Sequence, residues 1–296
     1  MNRTVISKIG EREAGISFSV AAIAPVFLSF FFLAVAQELS PDYASQGWYT
    51  LGLYLCSQLA FFAVVLGVGA TTKAHPKDMG YRPCSAKFFF IGLLIVYGML
   101  FGASVLATLF EEFMTDLGYT LTPVAVPLDT PVYFALSLIV IGVIPGILEE
   151  TLFRGVILNG IGRFPTWASV ILSGVLFAVF HQNPSQTVYQ FLFGCVFALI
   201  TIKAGSVLPA VAMHVLNNVA VLVLGYCNVQ TSGTADTVLL ITGLVAVVGG
   251  IVLLLLCRTP EREDELEPPR YGLFFGYSAL GILYCVVMWA LVLVQK

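Results

Sequence analysis

Apolar stretches about as long as a membrane-spanning helix recur along the whole chain, and no other feature limits its architecture as much. A bilayer hydrocarbon core of about 30 Å is crossed by about 20 residues of helix, and inside it only helices and closed barrels satisfy every backbone N–H and C=O. By that measure the 296-residue chain offers nine candidate spans, near 16–36, 48–70, 87–110, 131–158, 166–181, 187–202, 207–226, 237–257 and 271–294. The fifth and sixth are short, as tilted, broken or re-entrant segments are. Hydrophobic residues make up 58% of the chain and charged residues 10%, whereas soluble proteins carry about 25% charged residues. The expected fold is all-α: a polytopic transmembrane helical bundle of 8–9 helices, one integral membrane domain over residues 1–296.

The cations give this bundle a side. Of the 14 lysines and arginines, 13 fall before the first span or in alternate connections, with only Lys296 opposite. The loops 37–47, 111–130, 182–186 and 227–236 hold none. Cytoplasmic loops collect Lys and Arg, so the N-terminus is expected in the cytoplasm. Ala34-Val35-Ala36 resembles a signal-peptide cleavage site, but the apolar run before it is longer than a signal core, and the first span is expected to be retained. Loop 71–87 reads as a turn-rich cytoplasmic connector and 258–270 as a charged, proline-bounded cytoplasmic loop. A net charge of −3 and the lack of any basic tract interleaved with aromatics argue against a nucleic-acid partner. The six cysteines are scattered without a C-x-x-C pair and read as small hydrophobes. No internal repeat supports a transporter built from duplicated halves.

Within this apolar background, Glu149-Glu150-Thr151-Leu152-Phe153-Arg154-Gly155 stands out. A charge at membrane depth costs about 2.5–3.5 kcal/mol on insertion scales, so such residues pair with one another or do chemistry. Glu150 and Arg154 are four apart and share a helix face as an ion pair; Glu149 points about 100° away. That leaves Glu149 free to act while Glu150 is held, although spacing alone also permits the reverse. Pro145-Gly146 can kink the helix just before them. Glu111-Glu112 is an instructive contrast: with Asp116 following and no arginine, it reads as a solvated helix end.

Two of the three histidines, His181 and His214, also fall in or at the end of apolar runs. A single histidine in a helix is commonly a hydrogen-bonded core residue, but two beside a buried glutamate are harder to dismiss. Asn218 follows His214 by one helical turn and shares its face, and Phe177 precedes His181 by one turn and is expected to pack. Helical rise places Glu149, His181, His214 and Asn218 about 18, 22, 10 and 16 Å from the cytoplasmic end of the bundle, depths that one water-filled cavity can span.

Taken in order, Glu149-Glu150-x-x-Phe153-Arg154-Gly155, Phe177-x-x-x-His181 and His214-x-x-x-Asn218, with Leu208-Pro209-Ala210 before the last, resemble the pattern of the CAAX-type prenyl endopeptidases and bacteriocin-processing enzymes, or Abi family. The likeness covers about residues 131–226, the expected catalytic core. It implies an intramembrane glutamate endopeptidase in a prokaryotic cell membrane, with a central conical cavity opening to the cytoplasm. Carried over by position, Glu149 is the general base with His181 beside it, His214 and Asn218 stabilise the oxyanion, and Glu150 with Arg154 holds the site. No cofactor is implied. The partners implied are membrane lipids and a membrane-associated or lipidated peptide or protein substrate. An alternative is a metal-dependent variant in which Glu149, His181 and His214 form a His₂Glu zinc set, though H-E-x-x-H is absent. On the functional side, a non-enzymatic scaffold or bacteriocin self-immunity protein of the same fold is the competing reading.

Overall fold

The computed structural model describes residues 8–120, 126–260 and 268–294. Arg3, Arg262 and Lys296, which enter the sidedness argument, lie outside the described residues, as do 121–125 of the lysine-free loop and 261–267 of the charged loop. Among the described residues the chain forms nine helices and no strand: α1 Glu11–Leu39, α2 Gly47–Thr72, α3 Lys87–Asp116, α4 Pro131–Leu158, α5 Thr166–Phe180, α6 Thr187–Ala204, α7 Leu208–Tyr226, α8 Thr234–Leu256 and α9 Tyr271–Val294. Eight are long and apolar enough to cross a membrane; α5, with 15 residues, is not. At 1.5 Å per residue it reaches about 22 Å, short of the hydrocarbon thickness. It starts after Pro165 and ends at His181, so its end lies inside the bundle's depth. A 3₁₀ turn at Pro184–Gln186 lengthens the sixth span to 21 residues. Large apolar side chains such as Phe27, Phe31, Phe90 and Leu256 are exposed, as lipid-facing residues are.

Helix α4 is the axis of the site, and it is not a uniform α-helix. Thr130 caps it by accepting a hydrogen bond from the Tyr133 N–H at 3.2 Å, with Pro131 at the first helical position. Two stretches, Leu138–Val143 and Thr151–Leu158, are wound as π-helix. They flank Pro145 and the glutamate pair, and such wide turns re-aim side chains at functional sites. Small residues bring the neighbouring helices close, the usual basis of helix association in lipid. A Cβ on Gly146 would stand 2.8 Å from the Val215 backbone nitrogen, so α4 and α7 touch there almost backbone to backbone. Gly194 of α6 meets Gly174 of α5 in the same way.

The end of the bundle that carries the cations is tied together. Lys8 pairs with Asp78 at 3.0 Å, Arg163 with Glu11 at 3.0 Å, and Glu11 also accepts the Arg270 backbone N–H at 3.2 Å. Asp78 is held below the usual carboxylate range: partial burial works against ionisation, but the His75 backbone N–H and the Lys8 ammonium outweigh it. The 71–87 connector, read from sequence as an ordinary cytoplasmic loop, folds back over this end. Met79 is buried against Gly155, the Gly80 carbonyl accepts from Val207 N–H at 2.9 Å, and Ser206 Oγ donates to the Arg82 carbonyl at 2.6 Å. A side chain at position 155 would collide with the Met79 carbonyl; its absence is what seats the loop on α4.

Candidate active site

The Glu150–Arg154 pair expected from spacing is present and wholly buried. Arg154 Nη1 donates to Glu150 Oε1 at 2.8 Å and Nη2 to the Gly194 carbonyl at 3.0 Å. Its guanidinium lies 4.6 Å from the Phe177 ring centre and 5.2 Å from that of Phe197. A delocalised cation with several forked donors tolerates such a setting where an ammonium does not. His214, reaching across from α7, brings Nδ1 to 2.9 Å from the same Glu150 oxygen. Glu150 therefore serves two partners from two helices.

Glu149 is differently placed. It is only partly buried, and its one side-chain hydrogen bond among the described residues is from Gln58 of α2, whose Nε2 donates to Oε1 at 3.3 Å. His181 ends α5, and its Nδ1 stands 2.7 Å from the Phe177 carbonyl. A carbonyl only accepts, so Nδ1 carries the hydrogen, and in the neutral ring Nε2 holds the lone pair. Glu149, His214 and Arg154 all act electrostatically on His181. Phe177, expected merely to pack, joins the two imidazoles: its ring centre is 4.7 Å from that of His181 and 6.0 Å from that of His214, edge to face with both.

Asn218 does not pair with His214. Its Nδ2 donates to the Ile141 carbonyl at 3.2 Å, and its Oδ1 accepts from Asn217, which in turn accepts from the Tyr189 hydroxyl at 3.2 Å. Ile141 lies four residues before Pro145, which has no N–H to offer that carbonyl; Asn218 supplies a donor from the neighbouring helix. One amide hydrogen of Asn218 is thus structural. Tyr81 of the folded-back loop also reaches α4, its hydroxyl 2.5 Å from Thr151 Oγ1.

A cavity of about 450 Å³ reaches His181, lined also by Pro25 and Ser29 of α1, Ser57 and Phe61 of α2, and Tyr284 of α9. This lining runs from mid-bundle toward the end away from the cations. At the cationic end a pocket of about 100 Å³ reaches Arg154, and neither a glutamate of the pair nor His181 nor His214 lines it. The expected approach from that end thus has the 71–87 loop across it. Among the described residues no three His, Cys, Asp or Glu side chains are grouped so that they could hold a metal ion.

Gln58, Asn217, Tyr189 and Tyr81 were not singled out from sequence. Gln58 in an otherwise apolar run carried a signal, since a buried carboxamide is costly unless bonded; Asn217 stands inside the His214-x-x-x-Asn218 motif, and Tyr81 and Tyr189 lacked any spacing relation to it.

Fold and site together define a polytopic membrane helical bundle with a buried carboxylate–guanidinium–imidazole cluster and a second carboxylate beside it. Residues 131–220 match the family model described as type II CAAX prenyl endopeptidase, Rce1-like, a segment containing Glu149, Glu150, Arg154, His181, His214 and Asn218. At the level of the family the match supports a CAAX-type intramembrane protease, and together with the eight apolar helices it supports an integral membrane protein. Comparison with curated proteins and with solved structures returned no match.

Proposed function

We propose that the chain is an intramembrane endopeptidase that cuts a membrane-associated or lipidated peptide with a glutamate-activated water. The observation that carries this is the division of labour between adjacent carboxylates: Glu150 is wholly buried and bound through Oε1 to Arg154 and His214, whereas Glu149 is only partly buried and meets the neutral Gln58 amide instead of a cation. In this reading Glu149 removes a proton from water as the oxygen attacks the scissile carbonyl. The carbonyl electrons move onto oxygen, and collapse of that intermediate breaks the C–N bond as the proton passes to the leaving amine. His181, its Nδ1–H fixed on Phe177, offers Nε2 beside the base. His214, oriented through Nδ1 by Glu150, presents Nε2 to the oxyanion, with the second amide hydrogen of Asn218 beside it. Each such donor in a dry site contributes about 2.7–4 kcal/mol. The cationic end faces the cytoplasm, following the bias of the basic residues.

The test is processing of candidate peptides in membranes by the parent, Glu149→Gln and His181→Ala, with protein levels matched. Glu149→Gln is expected to lose at least about a hundredfold in rate, the scale of a general base. Unchanged processing in both variants would remove the peptidase and favour a scaffold or immunity role. A strong chelator is expected to leave the parent's rate unaltered; inhibition reversed by added zinc would assign the chemistry to a metal.

A further inference from the structure

Resting on that peptidase reading, we infer that Gln58 of α2, far outside the 131–220 match, is the residue that positions the attacking water. Gln58 is 4% exposed, and its carboxamide contacts Glu149 through Nε2 at 3.3 Å. The orientation follows from chemistry, because a carboxylate accepts and only the NH₂ end of the amide donates. The other end, Oε1, is buried and meets no donor among the described residues. A buried acceptor of this kind is normally satisfied, by protein or by an ordered water.

The distances make one water sufficient. Amide bond lengths hold the oxygen and nitrogen of a carboxamide about 2.2 Å apart. With 3.3 Å from Nε2 to Glu149 Oε1, Gln58 Oε1 and that carboxylate oxygen are then separated by no more than about 5.5 Å, and a water donating one hydrogen to each at about 2.8 Å bridges acceptors about 4.4 Å apart, within that bound. Both hydrogens are thereby assigned. One passes to Glu149 as the oxygen–carbon bond forms, and the other stays on the oxygen and is held by Gln58. The lone pair is left facing away from both acceptors. Ser57 and Phe61, next to Gln58 and one turn on, line the cavity that His181 shares, so α2 supplies both a wall of that cavity and the water's anchor. Gln58 thus acts through Glu149 and the water, a positioning role; a plain α2–α4 clamp would have no use for the second end of the amide.

The experiment uses the full-length protein in lipid nanodiscs with a quenched-fluorescence isoprenylated CAAX-type reporter peptide. Gln58→Met, close in length and without the amide, is expected to lower kcat about tenfold to a hundredfold, the range for hydrogen bonds to charged groups, with KM within about twofold and an unchanged melting temperature. Gln58→Asn, which withdraws the amide by one methylene, is expected to fall in the same direction, and serves if the methionine variant does not fold. Carbodiimide labelling, read at Glu149 by mass spectrometry, gives a measure independent of turnover. It is expected to quicken in Gln58→Met, because the amide that covers Glu149 Oε1 is gone. Turnover kept by Gln58→Met but lost by Glu149→Gln overturns the role of Gln58 and leaves the peptidase standing. No turnover in the parent overturns the peptidase, and with it the water's task. In that event unchanged labelling also overturns the Gln58–Glu149 contact.

Discussion

Arg154 is the side chain on which the other site residues depend. It is buried, bonded to Glu150 and to the Gly194 carbonyl, and stacked on Phe177 and Phe197. Removing one partner of such a pair leaves a charge in an apolar interior, which costs about 3–5 kcal/mol. Arg154→Met is therefore expected to lower the melting temperature in detergent sharply. Arg154→Lys is expected to rescue little, because a single ammonium cannot span Glu150 and Gly194 while stacking on two rings. The pair was legible in the sequence because four-residue spacing on a helix is a local rule. The bond from His214 to the same glutamate was not: it depends on which face of α7 meets α4, a property of packing. Gln58, 91 residues from Glu149, was illegible for the same reason, and only the cost of burying an amide hinted at a partner.

At the scale of elements, the site exists because α4 and α7 are pressed together. Gly146 makes this contact, and a methyl there would press on the Val215 backbone, which has no rotamer to move aside. Gly146→Ala is expected to separate the helices, lengthen the Glu150–His214 bond and abolish processing, while Gly249→Ala in α8, where an added Cβ has open space, is expected to be silent. Parallel activity and thermal-shift measurements on the two variants check this. The spans were readable from hydropathy nearly to their ends, since length and apolarity are what a bilayer selects. The π-helical turns of α4 were not readable. They arise where Pro145 and tightly packed neighbours displace the backbone ladder, and neither effect has a periodic signature.

For the molecule as a whole, the cationic end is a clasp joining residues distant in sequence: Lys8 to Asp78, Glu11 to Arg163 and to the start of α9. The hydropathy pattern foretold that these residues share a side, but not that a loop would fold across it. Because the Asp78 carboxyl is held below its ordinary range, the clasp is complete at pH values above that range, and its contribution fades as the pH falls through the lowered value. Protease access to the 73–82 segment is expected to rise on acidification, and Asp78→Asn is expected to show the raised access at neutral pH without further change on acidification.

The aromatic bridge at Phe177 also gives this bundle a built-in spectroscopic handle. Of its three imidazoles, His75 sits exposed in the folded-back loop, while His181 and His214 lie edge-on to one phenyl ring at different distances. Ring currents from that phenyl displace the two buried signals by unequal amounts, so histidine-selective isotope labelling resolves each imidazole in its own nuclear resonance and lets proton uptake be followed at both sides of the site without a single engineered change.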